Sequence, residues 1–70
     1  MVDFRYGSTP EQFEFEATTH ERVARSHRAR AEYLSLRGDE LQAAQAREEA
    51  ERELRHAQAQ RARADMLRRR

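Results

Sequence analysis

The chain has no cysteine, no lysine and no tryptophan, and only one proline and two glycines among its 70 residues. The absence of cysteine excludes disulfides, thiolate zinc sites and thiol catalysis. No apolar run approaches the roughly 20 residues of a membrane-spanning helix. The first residues carry Asp3 and Arg5 where a secretory signal peptide would be apolar. We therefore expect a cytoplasmic protein without a membrane segment.

Large apolar side chains are also scarce. Leu, Ile, Val and Phe together supply 10 of the 70 residues, a fraction below the roughly 20 % of ordinary globular chains. The net charge is only +1, with 14 arginines against 13 acids, so the high net charge of disordered chains is missing. Alanine, arginine, glutamate and glutamine dominate instead, and these are strong helix formers. The composition predicts an all-α chain that obtains only about 3–5 kcal/mol from its own core and favours self-association.

Local signals divide the chain into two helices. Thr9 is a helix cap, Pro10 suits the first helical position, and Gln12 completes a capping-box pattern. Nothing interrupts the helical composition until Gly38, which suits the position after a helix end, and Asp39 is a cap for the next helix.

These signals predict a helical hairpin over residues 10–70, with helices at 10–37 and 40–68 and a turn at 38–39. Such a short turn requires antiparallel helices. Residues 1–9 form an extended arm in this interpretation, because Val2, Phe4 and Tyr6 alternate with charged residues.

A seven-residue repeat of alanine marks the surface on which the helices meet. Folding the chain about Gly38 pairs residues whose numbers sum to about 77, so that large side chains of one helix face alanines of the other. In this register Ala31 faces Ala46. The residues predicted to pack in the hairpin or its dimer are Phe13, Phe15, Ala17, His20, Ala24, His27, Ala31 and Leu34 in the first helix, and Ala43, Ala50, Leu54, Ala57, Ala64 and Leu67 in the second.

Charge blocks independently favour the antiparallel arrangement. Residues 1–21 hold five acids and one arginine, and residues 22–37 hold five arginines and one acid. Residues 38–53 hold six acids and two arginines, and residues 54–70 hold six arginines and one acid. An antiparallel hairpin places each acidic half beside a basic half, and each helix also matches its own dipole.

A second stripe on the first helix is the candidate binding surface. At about 100° per residue a band of mixed apolar, aromatic and arginine residues lies beside the alanine seam, a composition favoured in protein interfaces. Its members are Phe15, Thr19, Val23, Ser26, Arg30, Tyr33 and Arg37. The band is the seam of a four-helix homodimer, a partner-binding face or plain solvated surface, and we assign Val23, Arg30, Tyr33 and Arg37 to partner binding.

The spacing of the three histidines does not indicate a metal site. His20 and His27 are about 10.5 Å apart along a helix, too far to share one metal ion. Glu16 precedes His20 by four residues and Glu53-x-x-His56 is half of a two-metal pattern, but a second half is missing. We expect histidines packed at the seam, either neutral or paired with Glu16 or Glu53. No phosphate-binding loop or nucleophile motif is present, so we expect neither an enzyme nor a cofactor.

Nucleic-acid binding is the alternative that the arginines raise. Clusters lie at residues 22–30 and 61–70, but the isoelectric point is 8.4, whereas nucleic-acid binders usually have values above about 9.

In size, Arg/Ala-rich composition and expected hairpin-dimer form, the chain resembles small phage-encoded anti-activators, which bind and disable host transcription regulators. That resemblance implies a host protein as target, with no catalysis and no cofactor. We therefore expect a homodimeric protein-interaction module that inhibits a host protein. A nucleic-acid-binding hairpin dimer and a virion structural or assembly protein are the alternatives.

Overall fold

A computed structural model describes residues 9–69 as two antiparallel helices, α1 (Pro10–Leu36) and α2 (Glu40–Arg68). The predicted all-α helical hairpin is confirmed. Apart from Thr9, the predicted arm lies outside the described residues. Among the described residues no helix is long and apolar enough to cross a membrane.

Both helices begin at the predicted caps. The Oγ1 of Thr9 accepts a hydrogen bond from the backbone N–H of Gln12 at 3.1 Å, and Oδ1 of Asp39 accepts one from the N–H of Gln42 at 3.2 Å. These side chains satisfy amide groups that have no partner within their own helix. Pro10 occupies the first helical position, where its missing N–H has no cost.

The turn ends α1 one residue earlier than the sequence predicts. Arg37 is the C-cap and Gly38 follows with φ at +86°. The N–H of Gly38 donates to the carbonyl of Ser35, and the N–H of Asp39 donates to the carbonyl of Leu34, both at 2.9 Å. This pair of bonds is a Schellman motif, which needs a left-handed residue at the position of Gly38. The predicted glycine position is thus correct, and the motif itself removes Arg37 from the helix.

The seam between the helices consists of alanine alone. Each fully buried residue in the described part of the chain is an alanine, with 3 % exposure or less. They are Ala17, Ala24 and Ala31 in α1, and Ala43, Ala46, Ala50, Ala57 and Ala64 in α2. Seven of them belong to the predicted packing set, and Ala46 is the one that the set omitted.

Larger side chains lie beside this seam. Phe13, Leu34, Leu54 and Leu67 are half-buried, as are His20 and His27. Phe15 is 69 % exposed, so it does not pack between the two helices of the hairpin, and its role at the seam of a dimer stays a prediction. At about 100° per residue, two positions separate Phe15 from Ala17 by about 200°, which places it on the far side of α1.

The hairpin is a single layer of helices. Its Cα atoms extend over 49 × 28 × 13 Å, and the shortest dimension leaves room for one helix in thickness. Domains usually bury their apolar surfaces between two or more layers. Here the two helices cover only alanine methyl groups completely, and the larger apolar side chains keep part of their surface accessible.

Candidate interaction site

Two long faces flank the alanine seam, and they differ in chemistry. The first, here called the ion-pair face, carries Glu14 and Glu21 from α1 and Arg61 and Arg68 from α2. The second, here called the histidine face, carries Phe13, His20 and His27 from α1 and Glu49, Glu53, His56 and Arg63 from α2.

On the ion-pair face, arginines of α2 hold carboxylates of α1. Arg61 donates to Glu21 through Nε at 3.0 Å and through Nη2 at 2.8 Å. Arg68 donates to Glu14 through Nη1. These hydrogen bonds lower the pKa of both carboxyls below the usual 4.5 and raise the pKa of both guanidinium groups. The acidic start of α1 therefore lies beside the basic end of α2, as the charge blocks predict.

The half of the hairpin nearer the turn has fewer ion pairs between its helices. No arginine of residues 22–37 forms an ion pair with a carboxylate of the described residues. The polar contacts between the helices here include His27 Nδ1 to Glu49 Oε1 at 3.3 Å and the Ser35 hydroxyl donating to Glu40 at 2.8 Å. Of the two predicted pairings of charge blocks, arginine ion pairs therefore form only between the start of α1 and the end of α2 in the described residues.

Half-buried polar groups fill the middle of the histidine face. His20 Nδ1 lies 2.6 Å from Glu53 Oε1, and the ring of His20 stacks on His56 with centroids 5.3 Å apart. The hydrogen bond with His20 lowers the pKa of Glu53 below its usual value, and the nearby histidines add to that effect. Of the two predicted carboxylate partners, Glu53 contacts a histidine, whereas Glu16 accepts from Gln60 Nε2 at 2.6 Å.

These contacts do not assemble a metal centre. In the part of the chain that the structure describes, no group of three or more histidine, aspartate or glutamate side chains is arranged to hold a metal ion. The depressions there are open grooves, such as the one bordered by Arg28, Glu32, Arg47 and Glu51. Open, charged grooves suit contact with a macromolecule better than enclosure of a small substrate.

The predicted partner-binding residues fall into two groups. Tyr33 and Arg37 contact each other: Arg37 Nη1 donates to the tyrosine hydroxyl at 3.0 Å, and the guanidinium carbon lies 5.5 Å from the ring centroid. Val23 is about 15 Å from Tyr33 along the helix. Arg30 borders a depression with Gln42 and Glu49 of α2. Arg30 therefore lies beside the histidine face, and heptad spacing puts Val23 on the same side of α1 as Arg30; Tyr33 and Arg37 contact each other nearer the turn.

Two leucines near the turn are exposed. Leu36 is 88 % exposed at the end of α1, and Leu41 is 73 % exposed at the start of α2. Neither leucine belongs to the predicted site, although both lie beside the glycine turn without the spacing of the seam, which marks them as exposed. We call Tyr33, Leu36 and Arg37 the turn-end surface.

No family model, no curated protein and no solved structure matches this chain.

Proposed function

We propose that the hairpin is a protein-interaction module that acts by binding another protein through its turn-end surface. One observation carries this proposal: Tyr33 is 57 % exposed and Leu36 is 88 % exposed, while Arg37 is held against the tyrosine ring. Large apolar and aromatic side chains exposed together mark binding surfaces more often than scattered single ones do.

The contact between Tyr33 and Arg37 supports this assignment energetically. Tyrosine and arginine dominate the binding energy in many interfaces, because they bury a large area and still satisfy their polar groups. The hydrogen bond and the cation–π contact already join the two side chains in the free hairpin. A surface that is ordered in advance loses less conformational entropy when a partner covers it.

The mode of action that we propose is inhibition by occlusion. A chain of this kind resembles small phage-encoded anti-activators, so the proposed partner is a host protein such as a transcription activator. The hairpin would cover a surface that this protein needs for its own activity. No step of this mechanism requires a catalytic group or a cofactor.

Site-specific crosslinking tests the proposal. A photoreactive phenylalanine analogue placed at position 33 is expected to crosslink one protein in a nuclease-treated bacterial lysate. The same analogue at Ala59, an exposed residue of α2 far from the turn, is the matched control. The captured protein is then purified, and its activity is measured with and without the hairpin.

Variants at the turn end provide the quantitative measurement. Tyr33→Ala combined with Arg37→Glu should weaken binding to the captured protein about 30-fold or more, with helix content and molecular mass unchanged. Met66→Ala, which removes a side chain 59 % exposed at the opposite end, should leave the affinity unchanged. Equal affinity of the turn-end variant and the wild type would refute the assignment.

A second candidate is nucleic-acid binding, and one observation favours it. Arg22, Arg25 and Arg28 are exposed and form no ion pair with the described residues. Arginine binds phosphate through paired hydrogen bonds. Salt separates the two candidates, since affinity for a phosphate backbone falls log-linearly and steeply with salt concentration. Binding through the turn-end surface should depend on salt only weakly.

A further inference from the structure

We infer that a second copy of this chain docks on the histidine face, antiparallel to the first, with the two-fold axis passing beside Val23. The docking surface consists of two lines of residues at seven-residue spacing. The α1 line is Glu16, Val23 and Arg30, and the α2 line is Gln42, Glu49, His56 and Arg63.

The need for a covering layer comes from the burial pattern. Only alanines are fully buried in the described part of the hairpin. Phe13, Leu34 and Leu67 remain half-buried beside the seam, and Val23 is 37 % exposed. A second layer of helices over these side chains is the usual means by which small scaffolds without disulfides or metals gain stability.

The α1 line is complementary to itself when reversed. Glu16 is seven residues before Val23 and Arg30 is seven residues after it. In an antiparallel pair centred on Val23, each Glu16 therefore faces the partner subunit's Arg30, about 10 Å from the axis. Phe13 and Leu34, ten residues before and eleven after Val23, face each other across the same axis. Like a natural two-fold interface, this surface matches its own copy.

The α2 line is complementary to itself in the same way. Reversed about the midpoint between Glu49 and His56, it places Glu49 against the partner subunit's His56 and Gln42 against the partner subunit's Arg63. Both pairs join a hydrogen-bond acceptor to a donor, with His56 as the donor through a ring N–H.

Contacts within the hairpin show that one axis serves both lines. Four contacts across the histidine face have the same sum of residue numbers: His20 with His56, His27 with Glu49, Phe13 with Arg63, and Glu16 with Gln60. In that register Val23 is level with Glu53. The midpoint between Glu49 and His56 falls between Arg52 and Glu53, within one residue of the same height. The centre of the α1 line and the centre of the α2 line thus lie at the same height along the hairpin. A single two-fold axis can therefore pass through both.

The ion-pair face does not offer an equivalent surface. Its carboxylates and guanidinium groups already bind each other within one chain, as Glu21 does with Arg61 and Glu14 with Arg68. Covering these pairs would remove their water without providing new partners, and desolvation of ion pairs is unfavourable.

Charge reversal tests the inference by complementation. Glu16→Arg places two arginine pairs in the interface of its own homodimer, and Arg30→Glu places two carboxylate pairs there. We expect each variant alone to dimerise at least about tenfold more weakly than the wild type in sedimentation equilibrium. Mixing the two creates a heterodimer in which both cross-subunit pairs are again of opposite charge, so the dimer should form on mixing.

Matched controls distinguish the docking surface from general charge effects. Arg22→Glu and Glu48→Arg make the same changes at exposed positions that about 100° per residue places away from both faces. These variants should dimerise like the wild type. If either interface variant loses helix content alone, restoration of the helix signal by mixing supports the inference equally. Failure of the mixture to associate, or wild-type dimerisation of both single variants, overturns it.

A crosslink tests the position of the axis independently. Because the chain has no cysteine, Val23→Cys introduces a single thiol close to its symmetry mate. Under mild oxidation this variant should form a disulfide-linked dimer much faster than Ala59→Cys, whose thiol lies on the outer side of α2. Equal rates for the two variants would contradict an axis beside Val23. A monomeric wild type that still binds the captured protein would overturn the dimer and leave the proposed function intact.

Discussion

At the scale of single residues, the hairpin depends on the smallest side chain that can still be buried in a helix. Ala24, Ala50 and Ala57 are each 1 % exposed, and a methyl group at these positions lets the two backbones approach closely. The hydrophobic gain per residue is small because little apolar area is buried. Close packing also means that the seam has little space for anything larger.

Ala50→Leu should therefore destabilise the protein by about 1–3 kcal/mol, because a larger side chain at a tight contact forces the helices apart. Ala59→Leu is the matched control, since Ala59 is exposed on α2 and leucine is also a good helix former. Chemical denaturation followed by circular dichroism measures both. A similar loss at the two positions would show that the seam is not tightly packed at Ala50.

Residue identity alone predicted some positions and not others. The caps at Thr9 and Asp39 and the left-handed turn residue Gly38 depend on local backbone chemistry, which the sequence reports directly. The position of Phe15 could not be settled in that way, because a hydrophobic side chain two positions from a seam alanine is equally compatible with a dimer seam, a binding face or solvent. Its 69 % exposure required the geometry of the hairpin.

At the scale of the helices, charge organises how α1 and α2 lie against each other. Arg61 and Arg68 of α2 bind Glu21 and Glu14 of α1, and His20 binds Glu53 across the other face. Exposed pairs of this kind contribute little energy each. They nevertheless disfavour a parallel arrangement, in which like charges would be adjacent.

The same carboxylates predict how stability depends on pH. The folded pKa of Glu14, Glu21 and Glu53 lies below the usual 4.5, so the unfolded chain binds protons more readily than the folded one. Their contribution is therefore complete above pH 4.5 and is lost as the pH falls through the lowered folded values. Unfolding free energy measured in urea at a series of pH values should decrease in that acidic range.

Neutral replacement supplies the control for this dependence. Glu14→Gln, Glu21→Gln and Glu53→Gln together should flatten the acidic decline, whereas Glu48→Gln, at an exposed position of α2, should not change it. An unchanged decline in the triple variant would mean that other groups cause the loss of stability in acid.

The sequence predicted the register of α1 against α2 better than it predicted which side chains contact each other across the two helices. The interhelical contacts centre on the register expected from folding about Gly38, yet His20 contacts Glu53 and His56 rather than packing only on an alanine. Heptad arithmetic locates a residue to within one turn. The choice among neighbours within that turn depends on side-chain rotamers and hydrogen bonds, which periodicity does not encode.

At the scale of the whole molecule, the single layer of helices connects folding to assembly. If a second copy supplies the covering layer, folding and dimerisation are one equilibrium. The melting temperature should then rise with protein concentration over a range of about a hundredfold, because mass action favours the folded dimer. Circular dichroism melts and light scattering at each concentration provide the measurement. A melt independent of concentration, with a monomeric mass, would contradict the coupling.

The partner-binding surface was the least predictable feature at this scale. The predicted stripe joined Val23 and Arg30 to Tyr33 and Arg37, because a helical wheel shows angle and ignores height and the neighbouring helix. The structure shows Arg30 beside Gln42 of α2 and Tyr33 paired with Arg37 near the turn. That the four residues bind one partner stays a prediction.

Because the seam consists of regularly spaced alanines, the length of the two helices does not depend on the structure of the turn that joins them. Buried alanines recur every seven residues, or two turns, along both helices. The Schellman turn at Gly38 uses only hydrogen bonds among residues 34–39. Insertion or removal of seven residues at matched positions in both helices should therefore keep the alanine seam in phase. The number of seven-residue segments thus sets the length of the hairpin, and that number can change without any change in the turn at Gly38.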